Sequence, residues 1–480
     1  MRKVTAATTA LAVLAACASQ LAEAHAFGQR YDLPLPLDFF LAGGAAVVLL
    51  SFVIAVVVLR PTSERAWRWV IPSLPRWLRA TIGTILAASG VFLFLLVLVA
   101  GYFGNQEPSE NIATVLVWVL WWIGLMLLTA LIGNVWPSLD PWRAIWRHTR
   151  SMSGRPPEAP IEGPPAWGAW PAVILYFVYA WLELASEFGE LPRDLALLVL
   201  LYSIGAWAAM ALFGENRWSA GADPFGRVFG LFGRFAPFGR NTDGQLTLRL
   251  PGAGLLGNHP RALGEIAFVL LVLAAVTFDG LSETPPWNSA VEWLAHSPSL
   301  HPVLLWLGDF DIDVLMTAKT LGLLLTALVF FAVFVAVCRL SALIGGGVSS
   351  SQAMRAFALS FLPIAIAYHA AHYLSYLLLA GQLAIPLASD PFGWGWDLFG
   401  TSGRTIDLSV ISMKTVWYIA VVAIVVGHVV SVTLAHIEAL RLFPTRRAAL
   451  LSQLPMLVLM VAFTSTSLWI LSQPIVQEPG

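Results

Sequence analysis

An all-α polytopic transmembrane helix bundle is the fold class this sequence predicts, and three observations predict it. Hydrophobic residues fill 58% of the 480 positions and charged residues only 11%, where a soluble globular chain carries about a quarter charged. Mean hydropathy is +0.76. Apolar runs of the roughly 20 residues that a spanning helix needs recur along the chain, with basic residues gathered in alternate loops between them. The net charge of -1 gives no electrostatic footprint for nucleic acid. Two cysteines, Cys17 in the leader and Cys338 at a helix end, make neither a disulfide framework nor a cysteine-type metal site.

Residues 1–24 read as a secretory signal peptide. Arg2 and Lys3 precede an apolar run from Val4 to Ala18, and Ala22-Glu23-Ala24 supplies the small-x-small cleavage pattern. Cleavage there makes His25 the mature N-terminus, able to offer an α-amine and an imidazole to one ion; the plainer reading is the first residue of an exported tail. Leu14-Ala15-Ala16-Cys17 is a competing lipobox in which Cys17 becomes the lipidated first residue, and an uncleaved signal anchor is the third alternative.

The remainder, 25–480, reads as a single transmembrane helical domain of about ten spans, near 39–59, 78–100, 112–134, 171–187, 194–213, 262–278, 314–338, 356–379, 413–436 and 453–472. Only helices or closed barrels satisfy the backbone in lipid. Twenty of the 27 basic residues fall in alternate loops. By the positive-inside rule those loops are cytoplasmic and both mature ends lie outside the cytoplasm.

The cytoplasmic loops 135–170 and 214–261 have an interfacial character. Asp140-Pro141-Trp142-Arg143 suggests a turn anchored by Trp and followed by a Pro-rich linker. Asp223 to Arg240 alternates Phe, Gly and Arg, which suggests Phe rings in the headgroup layer and Arg on anionic lipid. The outer loops 279–313 and 380–412 differ in kind. The first has no Lys or Arg but carries Asp279, Glu283, Glu292, Asp309, Asp311, Asp313, His296 and His301; the second carries Asp390, Trp394, Trp396, Asp397 and Asp407. Such a face can gather cations or enclose a cavity, or simply hold the carboxylates that sidedness leaves there.

Ionisable residues inside spans are costly and by default mark a function or a buried pair. His369 and His372, at i and i+3, lie on neighbouring positions of one helix face, and such a pair can ligate a Zn or Cu ion through neutral imidazoles or serve structural hydrogen bonds. His428 is close in depth to that pair, whereas His436 with Glu438 and Arg441 reads as an interfacial cluster. Glu183 and Glu187 are placed at i and i+4 on the fourth span, and Lys319 lies where it can neutralise Asp311 or Asp313. Asp279 closes the sixth span as a ligand, a base or a boundary residue. Gly-x-Ser-x-Gly, phosphate-loop and His-Glu-x-x-His motifs are all missing, so serine-nucleophile and nucleotide chemistry lack support.

Short strings across most of the mature chain resemble a family of bacterial polytopic membrane proteins known as fenitrothion hydrolases. They are Ala24-His25-Ala26-Phe27-Gly28 with Asp32-Leu33-Pro34, Asp223-Pro224-Phe225, and Thr277-Phe278-Asp279-Gly280-Leu281-Ser282. Leu362 to Tyr368 running to Ala371-His372-Tyr373, Ala388-Ser389-Asp390-Pro391, Asp397-Leu398-Phe399-Gly400, Gly427-His428-Val429 and Leu434-Ala435-His436 complete the set. The resemblance covers the position of His372 better than that of His369, which shifts weight to His25, His372, Asp279 and His428. It implies cleavage of apolar organophosphate triesters that partition into the bilayer. A metal-bound water would attack phosphorus, with His25, His372 and Asp279 as ligands and Asp390 or Glu187 as base. Two other classes fit the same residues: a permease that passes a metal ion or proton, and a non-catalytic subunit holding a periplasmic or membrane partner through its Trp-rich outer loops. Membrane lipid is a partner in every reading.

Overall fold

The structure is a computed structural model that describes residues 31–58, 68–72, 74–153, 167–241, 243–260, 262–310 and 312–477. The expected leader, the alternative cleavage at Cys17, and His25 lie outside the described residues.

Nine helical segments among the described residues are long and apolar enough to cross a membrane. In chain order they are α1 (Leu37–Val58), α2 (Arg76–Phe103) and α3 (Ile112–Leu131), then α6, α8, α9, the pair α10 and α11, α12, and the last, which includes α13. The two helices that intervene are α4 (Pro141–Ser153), which is amphipathic, and α5 (Trp170–Leu184). After them come α6 (Pro192–Phe213), α7 (Pro224–Phe235), α8 (Leu263–Leu281), α9 (Val314–Gly345), α10 (Ser350–Phe357), α11 (Leu362–Ala380), α12 (Met413–Leu442) and α13 (Leu454–Ile475). The expected fourth span corresponds to α5, which has only 15 residues. At 1.5 Å per residue it is roughly 22 Å long, short of the ~30 Å hydrocarbon core. A two-residue parallel pairing of β1 (Tyr31–Asp32) with β5 (Val476–Gln477) sets the two ends of the described chain side by side. α5 is the one shorter apolar helix beside the nine among the described residues. The chain is a multi-pass membrane protein.

Burial sorts the spans. On α1 the residues Leu50, Val53 and Val57, and on α9 Leu321, Leu325 and Leu328, are exposed on the isolated chain, as lipid-facing positions are. By contrast, every residue of α8 from Phe268 to Gly280 is buried, because α5, α9, α11 and α13 all pack on it. A helix apolar all round belongs at the centre of a bundle. α11 packs antiparallel on α12 at close range. A Cβ on Gly427 would stand 2.4 Å from that of Ala367 and 2.9 Å from the Pro363 carbonyl oxygen, so glycine is what allows the approach.

The loops at the arginine-rich end depart from the interfacial expectation. Trp136 and Trp142 are buried rather than set at a lipid boundary, and Trp142 donates from Nε1 to Ser203 Oγ at 2.8 Å. On α7, Phe225, Phe229 and Phe232 are buried in the protein: Phe225 lies among Trp121, Trp122, Tyr179 and Tyr202, Phe229 against Trp121 and Trp136, and Phe232 against His369. The period of that segment is helical, and the bundle offers its Phe face more apolar surface than the headgroup layer does. Small strands β2 (Arg68–Val70), β3 (Phe238–Arg240) and β4 (Leu246–Arg249) form an antiparallel sheet in the order β2-β4-β3 at the same end.

Candidate functional site

Three spans bring one polar cluster together inside the bundle. Asp279 lies in the last turn of α8 and is buried. Its Oδ2 accepts the Tyr373 hydroxyl at 2.6 Å and lies 3.0 Å from His372 Nε2. The His372 side chain is 5% exposed, so water reaches this pair very little. Ser282 donates from Oγ to the Asp279 carbonyl at 2.7 Å and closes the helix end behind it. A carboxylate at a helix C-terminus faces the negative end of the dipole. Donors from a neighbouring helix must therefore compensate it, and α11 supplies two in succession.

Glu183, in the last turn of α5, is within electrostatic reach of Asp279 and of Tyr373, with the Trp122 indole turned toward it. Glu283 faces His372 from just beyond α8. Tyr368, one turn before His372, is fully buried against Gly280, where an added Cβ would lie 2.7 Å from its hydroxyl. Its oxygen and Trp122 Nε1 have no hydrogen-bond partner among the described residues. The arrangement is a carboxylate in direct contact with an imidazole and a phenol, with a second carboxylate facing them: groups able to exchange a proton in a low-dielectric setting.

The expected site residues divide. His372 and Asp279 meet. His369 adjoins them on α11 but is engaged elsewhere, with Nδ1 2.7 Å from the Ala365 carbonyl oxygen and its ring edge-on to Phe232. His428 is fully buried on α12. Its Nδ1 lies 2.9 Å from the Ile424 carbonyl oxygen, and Nε2 has no partner among the described residues. No group of three His, Cys, Asp or Glu that can hold a metal ion occurs among the described residues. Of the expected Zn or Cu ligands, His372 and Asp279 are brought together, His369 and His428 are engaged with backbone carbonyls of their own helices, and His25 lies outside the described residues.

Neither expected base stands in this cluster's hydrogen bonds. Asp390 spends Oδ1 on the Trp394 N–H at 2.9 Å and Oδ2 on the Gly395 N–H at 2.6 Å, holding the turn between them. Glu187 is exposed beyond the end of α5. The helix stops at Leu184, so the expected i, i+4 face of Glu183 and Glu187 is not formed. Lys319 faces Glu190, Asp313 caps α9 through the Met316 N–H at 2.6 Å, and Asp311 lies outside the described residues. Glu190 is pushed up by burial and by neighbouring Glu187, against which Lys319 pulls. His436 and Glu438 are buried near the end of α12, and the expected pairing of Glu438 with Arg441 is present at 3.4 Å. The first bonds Gln453 at 2.9 Å, and the second accepts the Gly257 N–H at 2.8 Å and lies 2.9 Å from His259.

Sequence reasoning gave no role to Tyr373, Tyr368 or Trp122. A phenol next to a histidine deep in a span is itself a signal, because its hydroxyl needs a partner that lipid cannot supply. Compared with protein-family models, curated protein sequences and solved structures, the chain matches none.

Proposed function

We propose that this chain is an inner-membrane hydrolase of apolar triesters of the organophosphate type, working at the His372, Asp279 and Tyr373 cluster. The observation that carries this reading is the direct contact of His372 with Asp279. An imidazole held by a buried carboxylate is fixed in orientation and tautomer, as general-base catalysis requires. In the proposed step the pair takes a proton from water as the water oxygen bonds to phosphorus. The bond from phosphorus to the aryl oxygen breaks, and the phenolate leaves. Tyr373, donating to Asp279, fixes the carboxylate. A substrate dissolved in the bilayer reaches such a centre without crossing bulk water, which suits an ester with long residence in lipid. The resemblance of the sequence strings supports the substrate class.

The test is release of nitrophenolate from a nitrophenyl phosphotriester by the purified protein in nanodiscs. Activity that falls by about 10² to 10⁴ in His372→Ala supports the reading, and undiminished turnover overturns it. Metal content measured on the same samples, with N-terminal sequencing, tests whether His25 completes a ligand set.

One observation favours a second reading. Two carboxylates, Asp279 and Glu183, share this intramembrane region, and facing acids in a bundle are typical of proton- or cation-coupled permeases. Acidification of sealed liposomes that depends on Asp279, without ester turnover, selects it.

A further inference from the structure

The small sheet at the arginine-rich end has one face fixed to the bundle and one face open. The fixed face is held by Arg249. Its guanidinium is buried at the C-terminus of α7, donating from Nε to the Ala236 carbonyl at 2.9 Å and from Nη2 to the Gly233 carbonyl at 2.6 Å. A cation there complements the helix dipole. Gly254 makes the space: a Cβ would stand 2.4 Å from the guanidinium carbon.

The register determines the other face. Trp69 pairs with Leu248 and Leu248 with Phe238, so the three side chains form one cross-strand row. All three are exposed, at 54%, 38% and 40%. Arg240 shares that face two residues along β3 from Phe238 and is also exposed. Arg76, Trp77 and Arg79 are exposed at the start of α2, a few residues beyond β2. The hairpin tip is polar and turned by Gly244 at φ +76°. Asn241 Oδ1 accepts there from the Asp243 and Gln245 N–H groups at 3.1 and 2.8 Å.

An apolar row across an open sheet invites aggregation unless something covers it. We propose that this row is a membrane-docking surface that inserts into the headgroup layer of the leaflet on the arginine-rich side and takes anionic phospholipid. Two arguments favour lipid over a protein partner. β2 leads within a few residues into α2, whose Ile85 and Phe92 are exposed on the isolated chain as lipid-facing positions are. Its rim is cationic, with Arg76, Arg79 and Arg240 against the single acid Asp243 at the tip. Aromatic and aliphatic side chains at the boundary with arginine beside them are the composition of an interfacial anchor. Of the Asp223 to Arg240 stretch that the sequence assigns to the headgroup layer, Phe238 and Arg240 of β3 thus keep that role, while the Phe face of α7 turns inward.

Nitroxide labels on Leu248→Cys, on Trp69→Cys and, as a water-exposed control, on Asp243→Cys test this in the full chain, reconstituted in nanodiscs of phosphatidylethanolamine and phosphatidylglycerol. The expected result is a several-fold higher ratio of oxygen to nickel-chelate accessibility at 248 and 69 than at 243. Replacing phosphatidylglycerol by phosphatidylcholine is expected to lower that ratio toward the control. Chelate accessibility at 248 and 69 equal to that at 243 overturns the docking surface. A ratio unchanged by phosphatidylcholine overturns the requirement for anionic lipid. Either labelled position suffices if the other fails to fold.

Discussion

Asp223 and Asp279 are both buried aspartates that accept a tyrosine hydroxyl, yet the two regions use the carboxylate differently. At the arginine-rich end Asp223 precedes Pro224 and begins α7. Its Oδ1 takes the Phe225 N–H at 3.0 Å and the Tyr202 hydroxyl at 2.9 Å. Asp140, preceding Pro141, does the same for α4, accepting the Arg143 N–H at 3.1 Å. These acids satisfy orphan backbone donors at the positive end of a dipole. Asp279 sits at the opposite end of its helix, where the dipole opposes it, and is held by side chains of α11. Aspartate before proline at a helix start is architecture; aspartate in a last turn, compensated from another helix, is available for chemistry.

The largest effect that can break this comparison is catalytic. Asp279→Asn keeps the shape but removes the charge that orients His372. Phosphotriester turnover is expected to fall by about 10² to 10⁴, with the fold retained by circular dichroism. On the proposal that the two groups act as a unit, the double variant His372→Ala with Asp279→Asn should lose little more than either single one. Additive losses would show that they act separately. Asp223→Asn should leave turnover close to wild type, and a comparable loss there would erase the distinction between the two acids.

Next in size is stability. Asp223→Ala removes a buried N-cap and leaves the Tyr202 hydroxyl without its acceptor, costing about 1 to 2 kcal/mol from the cap alone. Thermal unfolding in detergent reads this. Asp223→Asn, an equally good cap, should recover most of the loss.

A pH dependence separates the regions further. Burial, with Asp223 adding to it, raises Asp140 from 3.8 to about 7, and burial raises Asp223 from 3.8 to about 6 against the hydrogen bonds of Tyr202 and the helix start. The folded state therefore holds these protons more tightly than the unfolded chain. The stability they contribute is fully present below about pH 4 and is lost as pH rises through about 6 to 7. Arg143, bonded from Nε to Glu215 Oε1 at 2.8 Å, is the cation that limits the shift. Unfolding temperature should fall between about pH 4 and pH 7 and level off above that, and Asp140→Asn should flatten that slope. An unchanged slope in Asp140→Asn would assign the dependence to other groups.

Much of the bundle was legible because lipid imposes a simple rule. A backbone without water must be helical, so long apolar runs and arginine-rich loops placed the spans well. The short α5 was read too long, since Ala185-Ser186-Glu187 continues the helical period although the helix ends at Leu184. α7 was placed in the headgroup layer because its Phe-Gly-Arg spacing is amphipathic in either setting; only tertiary packing decides which apolar phase the Phe face meets. His372 and Asp279 stood out as ionisable groups at lipid depth, but 93 residues separate them. Their contact depends on how α8 and α11 pack, which no local pattern encodes. Asp390 looked equally reactive in sequence, and the structure gives both its oxygens to backbone amides.

The smallest expected effects concern the two carboxylates once assigned as bases. Glu187→Gln changes an exposed side chain beyond the end of α5, so stability should move by less than about 0.5 kcal/mol and turnover should be unaltered. Asp390→Asn removes charge but keeps one acceptor oxygen for the Trp394 and Gly395 N–H groups, and the turn carries Phe392, Trp394 and Trp396 in mutual ring contact at 4.6 to 5.5 Å. A modest loss of loop order, seen as a shift in tryptophan fluorescence without loss of turnover, is expected. If Asp390→Asn instead abolished turnover while Asp279→Asn did not, the chemistry would belong to the loop after α11 and Asp279 would join Asp223 as architecture.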